Sequence, residues 1–179
     1  MNSELVSHDE LMSLLSYESE TGEFHWIFSK NNRIKPGQPA GKLDNHGYLI
    51  INVNKKSYKA HRLAWFYFYG EWPDKQIDHI NRIRNDNRIS NLRLATHSEN
   101  VQNRDPQSNN KCGLKGVFFC KRDKRWIAQI GVNKKQRRIG SFSNKEDAYA
   151  AYLQEAALIH THNPCYQKDH HDNHPHRLA

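Results

Sequence analysis

Cysteine is scarce in this chain of 179 residues. The three present, Cys112, Cys120 and Cys165, are odd in number and scattered, so neither a disulfide framework nor a C-x-x-C zinc knuckle can be built from them. They read as plain small side chains in a reducing compartment. Long apolar runs are also missing: no stretch approaches the ~18 residues that a membrane-spanning helix needs. Met1 to Glu10 is acidic and polar rather than basic then apolar, so a cytoplasmic protein without a secretory signal is expected. Acidic residues are the minority charge, 19 against 27 Lys and Arg, for a net +8 and a pI near 9.4. Among the partners of a basic protein of this size, nucleic acid comes first. The hydrophobic content of 36% suffices for one or two small cores.

What is present divides along the chain. Ser7 and Glu10 have capping-box spacing, and Leu11, Leu14 and Leu15 make an apolar stripe, which predicts an N-terminal helix. After a turn at Thr21-Gly22, the run from Phe24 to Phe28 reads as a strand. A basic loop, Lys30 to Gly41, follows. Gly47 to Val53 and Ser57-Tyr58 read as strands, and His61 to Tyr69 as a buried helix stopped by Gly70 and Pro73. Residues 105–113 have linker composition. Gly116 to Phe142 predicts three short strands, and Ser143 with Glu146 predicts a cap for an Ala-rich helix over about 144–159. The tail, 163–179, is polar and His-rich and is expected to be a flexible tail. Its histidines and Cys165 match no closed metal site.

The segment from Gln76 to Arg104 carries chemistry. Gln76 to Ile80 predicts a strand, Asn81 to Ser90 a polar loop, and Asn91 to Ala95 a second strand. Thr96-His97-Ser98-Glu99 is a capping box that starts a helix bearing Asn100. Packed together, these elements bring Asp78 and His79 near Asn100. Asp78 supplies a carboxylate and Asn100 an amide oxygen, donors that suit a hard cation. His79 has the ordinary pKa of a base that activates water near neutral pH. The Asn91 amide is placed to pin the loop backbone and so to fix His79.

The run IDHINRIRNDNRISNLRLATHSENVQN resembles the signature of HNH endonucleases, also called the ββα-metal motif, in the variety found in phage and homing enzymes. His79 matches the first position, Asn91 the central one twelve residues on (91 − 79), and Asn100 the third, nine further (100 − 91). That makes an H-N-N variant. The resemblance implies that His79 is the base, Asp78 and Asn100 hold the metal, and Asn91 is structural. It also implies a location inside cells, an infected bacterial host included. Asparagine at the third position favours Mg²⁺ or Mn²⁺ over zinc. The preceding GYLIINVNKKSYKAHRLAWFYFYGEWP resembles the lead-in of these phage enzymes. There Arg62 is a candidate phosphate contact, set against a plain surface arginine. His61 reads as a packed, hydrogen-bonded histidine, and His97 as a phosphate contact or a solvated side chain.

Charge is concentrated downstream. From Lys111 to Arg138 ten basic residues face one acid, a net +9 that exceeds the charge of the whole chain. Alternation puts Trp126, Ala128, Ile130 and Val132 on one face and Ile127, Gln129 and Gly131 on the other, expected to be free, flat and basic. GVFFCKRDKRWIAQIGVNKKQRRIGSFSNKEDAYAAYLQEAA resembles the plant ethylene-response-factor DNA-binding domain, a three-stranded sheet backed by one helix. By that resemblance Lys115, Arg122, Lys124, Gln129, Lys134 and Arg138 face double-stranded DNA. The tryptophans that face DNA in the plant domain are replaced by basic residues, so base preference does not carry over.

The expected fold is α+β. A nuclease domain over 1–104, with its ββα-metal core at about 76–104, is followed by a linker at 105–113 and a DNA-binding domain at 114–162, a three-stranded antiparallel sheet packed on one helix. One catalytic motif per chain is compatible with nicking by a monomer or double-strand cutting by a homodimer. Two other readings stand beside this one, a non-catalytic DNA-binding regulator and an RNA-binding or packaging accessory. Neither needs Asp78, His79 or Asn100.

Overall fold

A computed structural model describes residues 5–28, 33–104, 106, 110–132 and 135–160. Lys134 and the His-rich tail beyond residue 160 lie outside the described residues, as do residues 105 and 107–109 of the expected linker. The chain divides into two compact units, Met1–Asn100 and Val101–Ala179.

In the first unit, α1 (His8–Leu14) starts where the capping pattern places it, with Ser7 Oγ accepting the Glu10 N–H at 3.2 Å. It ends sooner than the stripe does. Leu15 turns extended and opens β1 (Leu15–Glu18), the antiparallel partner of β2 (Glu23–Trp26). The strand escapes the sequence pattern because Leu15 also fits a helical face. Leu11 and Leu15 are both fully buried, so the change of element leaves the core list intact. Next comes an antiparallel meander of β3 (Lys42–Leu43), β4 (Leu49–Val53) and β5 (Lys56–Lys59). Asn54 and Lys55 both take positive φ in the tight β4–β5 turn.

Helix α2 (Ala60–Tyr69) buries Ala60, His61, Leu63, Ala64, Trp65 and Phe66 and stops at Gly70, which takes a left-handed φ. Its apolar face packs with Leu11, Leu15, Phe24, Ile51 and Val53 in one core. Strand β6 (Gln76–His79) pairs antiparallel with β7 (Leu92–Ala95), placing Asp78 opposite Arg93 and His79 opposite Leu92. Asn91 does not open the second strand, as the alternation had it, but closes a 3₁₀ turn, Ile89–Asn91, just before it. Helix α3 (His97–Gln102) begins with the capping box intact: Thr96 Oγ1 accepts the Glu99 N–H, and Glu99 Oε2 accepts the Thr96 N–H at 2.7 Å.

In the second unit, β8 (Val117–Cys120), β9 (Arg125–Val132) and β10 (Lys135–Phe142) form an antiparallel sheet with β9 central. Helix α4 (Lys145–Ile159) covers one face. Its cap is Asn144, whose side chain accepts the Asp147 N–H, rather than the Ser143–Glu146 box of the sequence reading. Asn144 is one residue nearer the helix and serves as well as serine. Val117, Ala128, Ile130, Ala148, Tyr152 and Ala156 make the core.

The alanines let α4 lie close, and Tyr152 fits over Gly116. A Cβ at Gly116 would sit 2.2 Å from Tyr152 Cδ2, and its φ of +74° disfavours any other residue. Gly116→Ala is therefore expected to destabilise this unit by about 2–4 kcal/mol, through left-handed strain plus overpacking. Amide exchange in β9 is the measurement, and wild-type protection there would contradict the packing described.

Candidate active site

Asp78, His79, Asn87 and Asn91 are each at most 6% exposed. Polar groups that deep must be hydrogen-bonded or otherwise matched. Asn91 is the most connected of them. Its Oδ1 accepts the Asn81 N–H at 3.0 Å, and its Nδ2 donates to Asn81 Oδ1 at 3.0 Å and to the Asp86 carbonyl at 2.8 Å. One side chain thus ties both limbs of the Asn81–Ser90 loop together. Asn81 Nδ2 on Asp86 Oδ2 and Arg88 on Asp86 close the loop further.

From outside, the β1–β2 hairpin buttresses the same loop. The Tyr17 hydroxyl donates to the Asn87 carbonyl at 2.7 Å, and Ile89 N–H donates to the Ser19 carbonyl. Burial pushes the Tyr17 phenol well above its ordinary value, so it stays a donor. Gly22 brings the hairpin against the loop backbone: a Cβ there would lie 2.4 Å from Arg88 N.

His79 faces Asn87, Tyr48 and His61. Asn87 Nδ2 donates to the Asn85 carbonyl, which turns Oδ1 toward His79 Nε2, a long contact of 3.5 Å. That partner assigns the ring hydrogen to Nε2 and leaves the Nδ1 lone pair to act as base. Burial lowers the His79 pKa. The Asn87 contact and the carboxylates of Asp78 and Asp86 oppose the shift, and Arg84 adds to it. The imidazole is therefore neutral at neutral pH, the form a general base requires. The His61 ring meets His79 edge to face at 5.0 Å. Desolvation, with help from His79, Lys59 and Arg62, holds His61 down to about 3. His61 is packed as expected, but its buried Nδ1 has no hydrogen-bond partner, contrary to the expectation of a bonded histidine. The ring contacts take that place.

Asp78 and Gln76 share one face of β6 and His79 lies on the other. Arg93 donates to Asp78 Oδ2 through Nε and Nη2 at 2.9 and 2.8 Å. Asn100 Nδ2 donates to Gln76 Oε1 at 3.1 Å, which leaves its amide oxygen for another partner. Asn100 is thus tethered to the strand face that carries Asp78. Among the described residues no group of three His, Cys, Asp or Glu converges as a metal cage. A carboxylate and an amide oxygen on one face instead fit a hard cation that keeps several waters. Arg62 reaches the Pro73 carbonyl at 3.4 Å, and His97 is exposed at the start of α3.

Asn87, Arg93 and Tyr48 are the site neighbours that sequence reasoning missed. Arg93 was legible from the strand register opposite Asp78. A buried asparagine in a loop that reads as uniformly polar gives no such signal.

In the second unit the uncovered face presents Phe118, Arg125, Ile127, Gln129, Gln136 and Arg138, with Gln129 paired to Arg138. Ile127 is buried even there, at 5% exposure, so the face has an apolar centre and is less basic than its sequence suggests. Arg125 was missed, although it shares the parity of Gln129. Arg137 points to the helix side, onto Glu155. Arg122 and Lys124 lie in the exposed β8–β9 turn, with Arg122 on Asp123 at 2.8 Å. Lys115 donates to the carbonyls of Val101, Gln102 and Arg104 at 3.1, 2.5 and 2.8 Å, so its ammonium is already well coordinated.

The family model of HNH endonucleases matches residues 58–102, from β5 to the end of α3. No curated protein and no solved structure matches the chain. The matched span contains Asp78, His79, Asn91 and Asn100, together with Lys59, His61, Asn87 and Arg93.

The depressed His61 pKa has a consequence for stability. The folded state keeps this ring neutral while the unfolded chain takes up protons below about pH 6.5. Its contribution is complete above that pH and is lost as pH falls toward about 3. His61→Phe keeps the packing and removes the titration. Its stability should fall less steeply between pH 6 and 4 than that of the wild type, by up to about 1.4 kcal/mol per pH unit. Urea midpoints at four pH values measure this, and parallel slopes would rule it out.

Proposed function

We propose that the first unit is a metal-dependent endonuclease of the phage or homing type, hydrolysing phosphodiester bonds of double-stranded DNA to 5′-phosphate and 3′-hydroxyl ends. The matched HNH endonuclease segment implies a nuclease acting on DNA. The observation that carries the rest is the buried, neutral His79 next to the buried carboxylate of Asp78 at the end of β6, beside the loop that Asn91 closes.

His79 Nδ1 removes a proton from water, the resulting hydroxide forms a new P–O bond as the P–O3′ bond breaks, and the departing 3′-oxygen takes a proton from solvent. Asn87 holds the ring by Nε2 while the proton is on Nδ1. Arg93 orients Asp78 through two charge-assisted hydrogen bonds. Asp78 and Asn100 are the residues that would hold Mg²⁺ or Mn²⁺, which when bound stabilises charge on the phosphate and the leaving oxygen. Asn91 takes no part in the chemistry and acts through loop geometry. Arg62 is a further candidate phosphate contact in this unit.

The second unit is the DNA-positioning module, resembling the ethylene-response-factor domain in its sheet and single covering helix. Gln129 and Arg138 on the uncovered face, with Arg122 and Lys124 in the β8–β9 turn, are its DNA contacts, Arg125 joins them by parity, and Lys134 remains a candidate from the sequence alone. Lys115 serves this role only by leaving its three carbonyls.

Supercoiled plasmid with EDTA-stripped protein tests the chemistry. Conversion to nicked or linear DNA on adding Mg²⁺, abolished in His79→Ala with DNA affinity kept, is the expected result. Weakened binding in that variant would make His79 structural. Because burial lowers the His79 pKa, the acid limb of the cleavage rate should lie below the ordinary imidazole value of about 6.5, and a limb above it would contradict the site described. Arg138→Ala should flatten the dependence of log K on log salt by about 0.9, as for one lost phosphate contact; an unchanged slope would move the DNA surface elsewhere.

A further inference from the structure

Two cations beside the imidazole pair are not used by the chemistry above. Lys59 Nζ stands 4.1 Å from the Tyr48 ring centroid, and the Arg84 guanidinium carbon 5.4 Å from the same centroid. Arg84 is anchored besides by its Nη1 on the His46 carbonyl at 2.7 Å. Tyr48 in turn packs on His61 at 5.5 Å and on His79 at 6.1 Å.

The three residues come from different places: Tyr48 from the turn before β4, Lys59 from the end of β5, and Arg84 from the loop after β6. Among the described residues neither cation is in an ion pair. Asp44 feels the Lys59 charge only weakly, its carboxylate being committed to the backbone of His46 and Tyr48. Both cations are exposed. Two like charges gathered on one ring, without a carboxylate between them, repel each other unless an anion joins them. The ring gives each a partial hold, worth roughly 0.5–1 kcal/mol at an exposed site, and costs no positive charge.

We infer that Lys59 and Arg84, spread over Tyr48, form a phosphate subsite that takes an internucleotide phosphate of the DNA strand bound at His79. This inference rests on the proposed nuclease reading and adds the residues that seat the substrate strand beside the base. An arginine fixed by one carbonyl bond still presents its remaining N–H groups as a fork, and the lysine supplies a mobile point charge.

The experiment is equilibrium binding of full-length protein to a fluorescent duplex of about 30 base pairs in EDTA, from 50 to 200 mM KCl. Wild type is compared with Lys59→Met, Arg84→Met and the double variant, and with the charge-keeping Lys59→Arg and Arg84→Lys. Each Met variant should flatten the slope of log K against log salt by about 0.9, and the double by about 1.8, while the charge-keeping variants retain it. Thermal melts identify any variant that is unfolded. If the double variant is, the single ones decide. A double variant folded and with wild-type slope would overturn the subsite. Because binding is read without metal, the outcome is separable from the nuclease reading. Flattened slopes with no Mg²⁺-dependent cleavage by wild type would sink the nuclease and keep a DNA contact. Cleavage with unchanged slopes would sink the subsite alone.

Discussion

The geometry of the site depends on one buried amide. Asn91 makes three hydrogen bonds to the loop that leaves β6 and returns to β7, two through its nitrogen and one through its oxygen. An amide is suited to this because it offers both donors and an acceptor from a single plane. A carboxylate would lack the donors and an apolar side chain would lack everything. With the loop closed, Asn87 is delivered to His79, Arg84 to Tyr48, and Asp86 to the hydrogen bonds that brace the loop. Without it, this stretch of ten residues would be a solvated excursion and His79 would lose its Asn87 contact.

Around that closure the unit separates two electrostatic environments across a single strand. On one face of β6, Asp78 is held by a two-pronged arginine at hydrogen-bond distance. On the other, His79 is kept neutral chiefly by burial, with the His61 ring packed edge to face against it. Adjacent residues in a strand are the cheapest way to arrange this, because the pleat sends successive side chains to opposite sides. The carboxylate still pulls the imidazole pKa upward from across the strand, but burial outweighs that pull.

Much of this was legible before any coordinates. The Thr96–Glu99 capping box, the alternation from Leu92 to Ala95, and the glycine stop at Gly70 are local rules, and each is obeyed where local chemistry dominates. Misreadings fall where two local rules compete. Leu15 satisfies a helical stripe and a strand start equally, and Ser143 and Asn144 are both competent caps. Other omissions come from contacts that no local pattern encodes. Asn87 is buried because a hairpin some seventy residues earlier in the chain covers it, as the Tyr17 hydroxyl bond records. Tyr48 reaches His79 through folding of the meander. The uncovered face of the second sheet shows the same limit: parity names its residues correctly but cannot show that Ile127 is shielded there.

The close approach of Gly22 to the backbone of Asn87 and Arg88 changes what counts as the catalytic module. The recognisable family segment starts at residue 58, yet the hairpin that holds its loop lies well upstream and outside that match. Recognition and mechanical self-sufficiency therefore have different boundaries in this chain. The signature holds the residues proposed to do chemistry, whereas their loop is braced by sequence that carries no signature. Excising the segment on the strength of its motif would keep each of those residues and discard the wall their loop leans on.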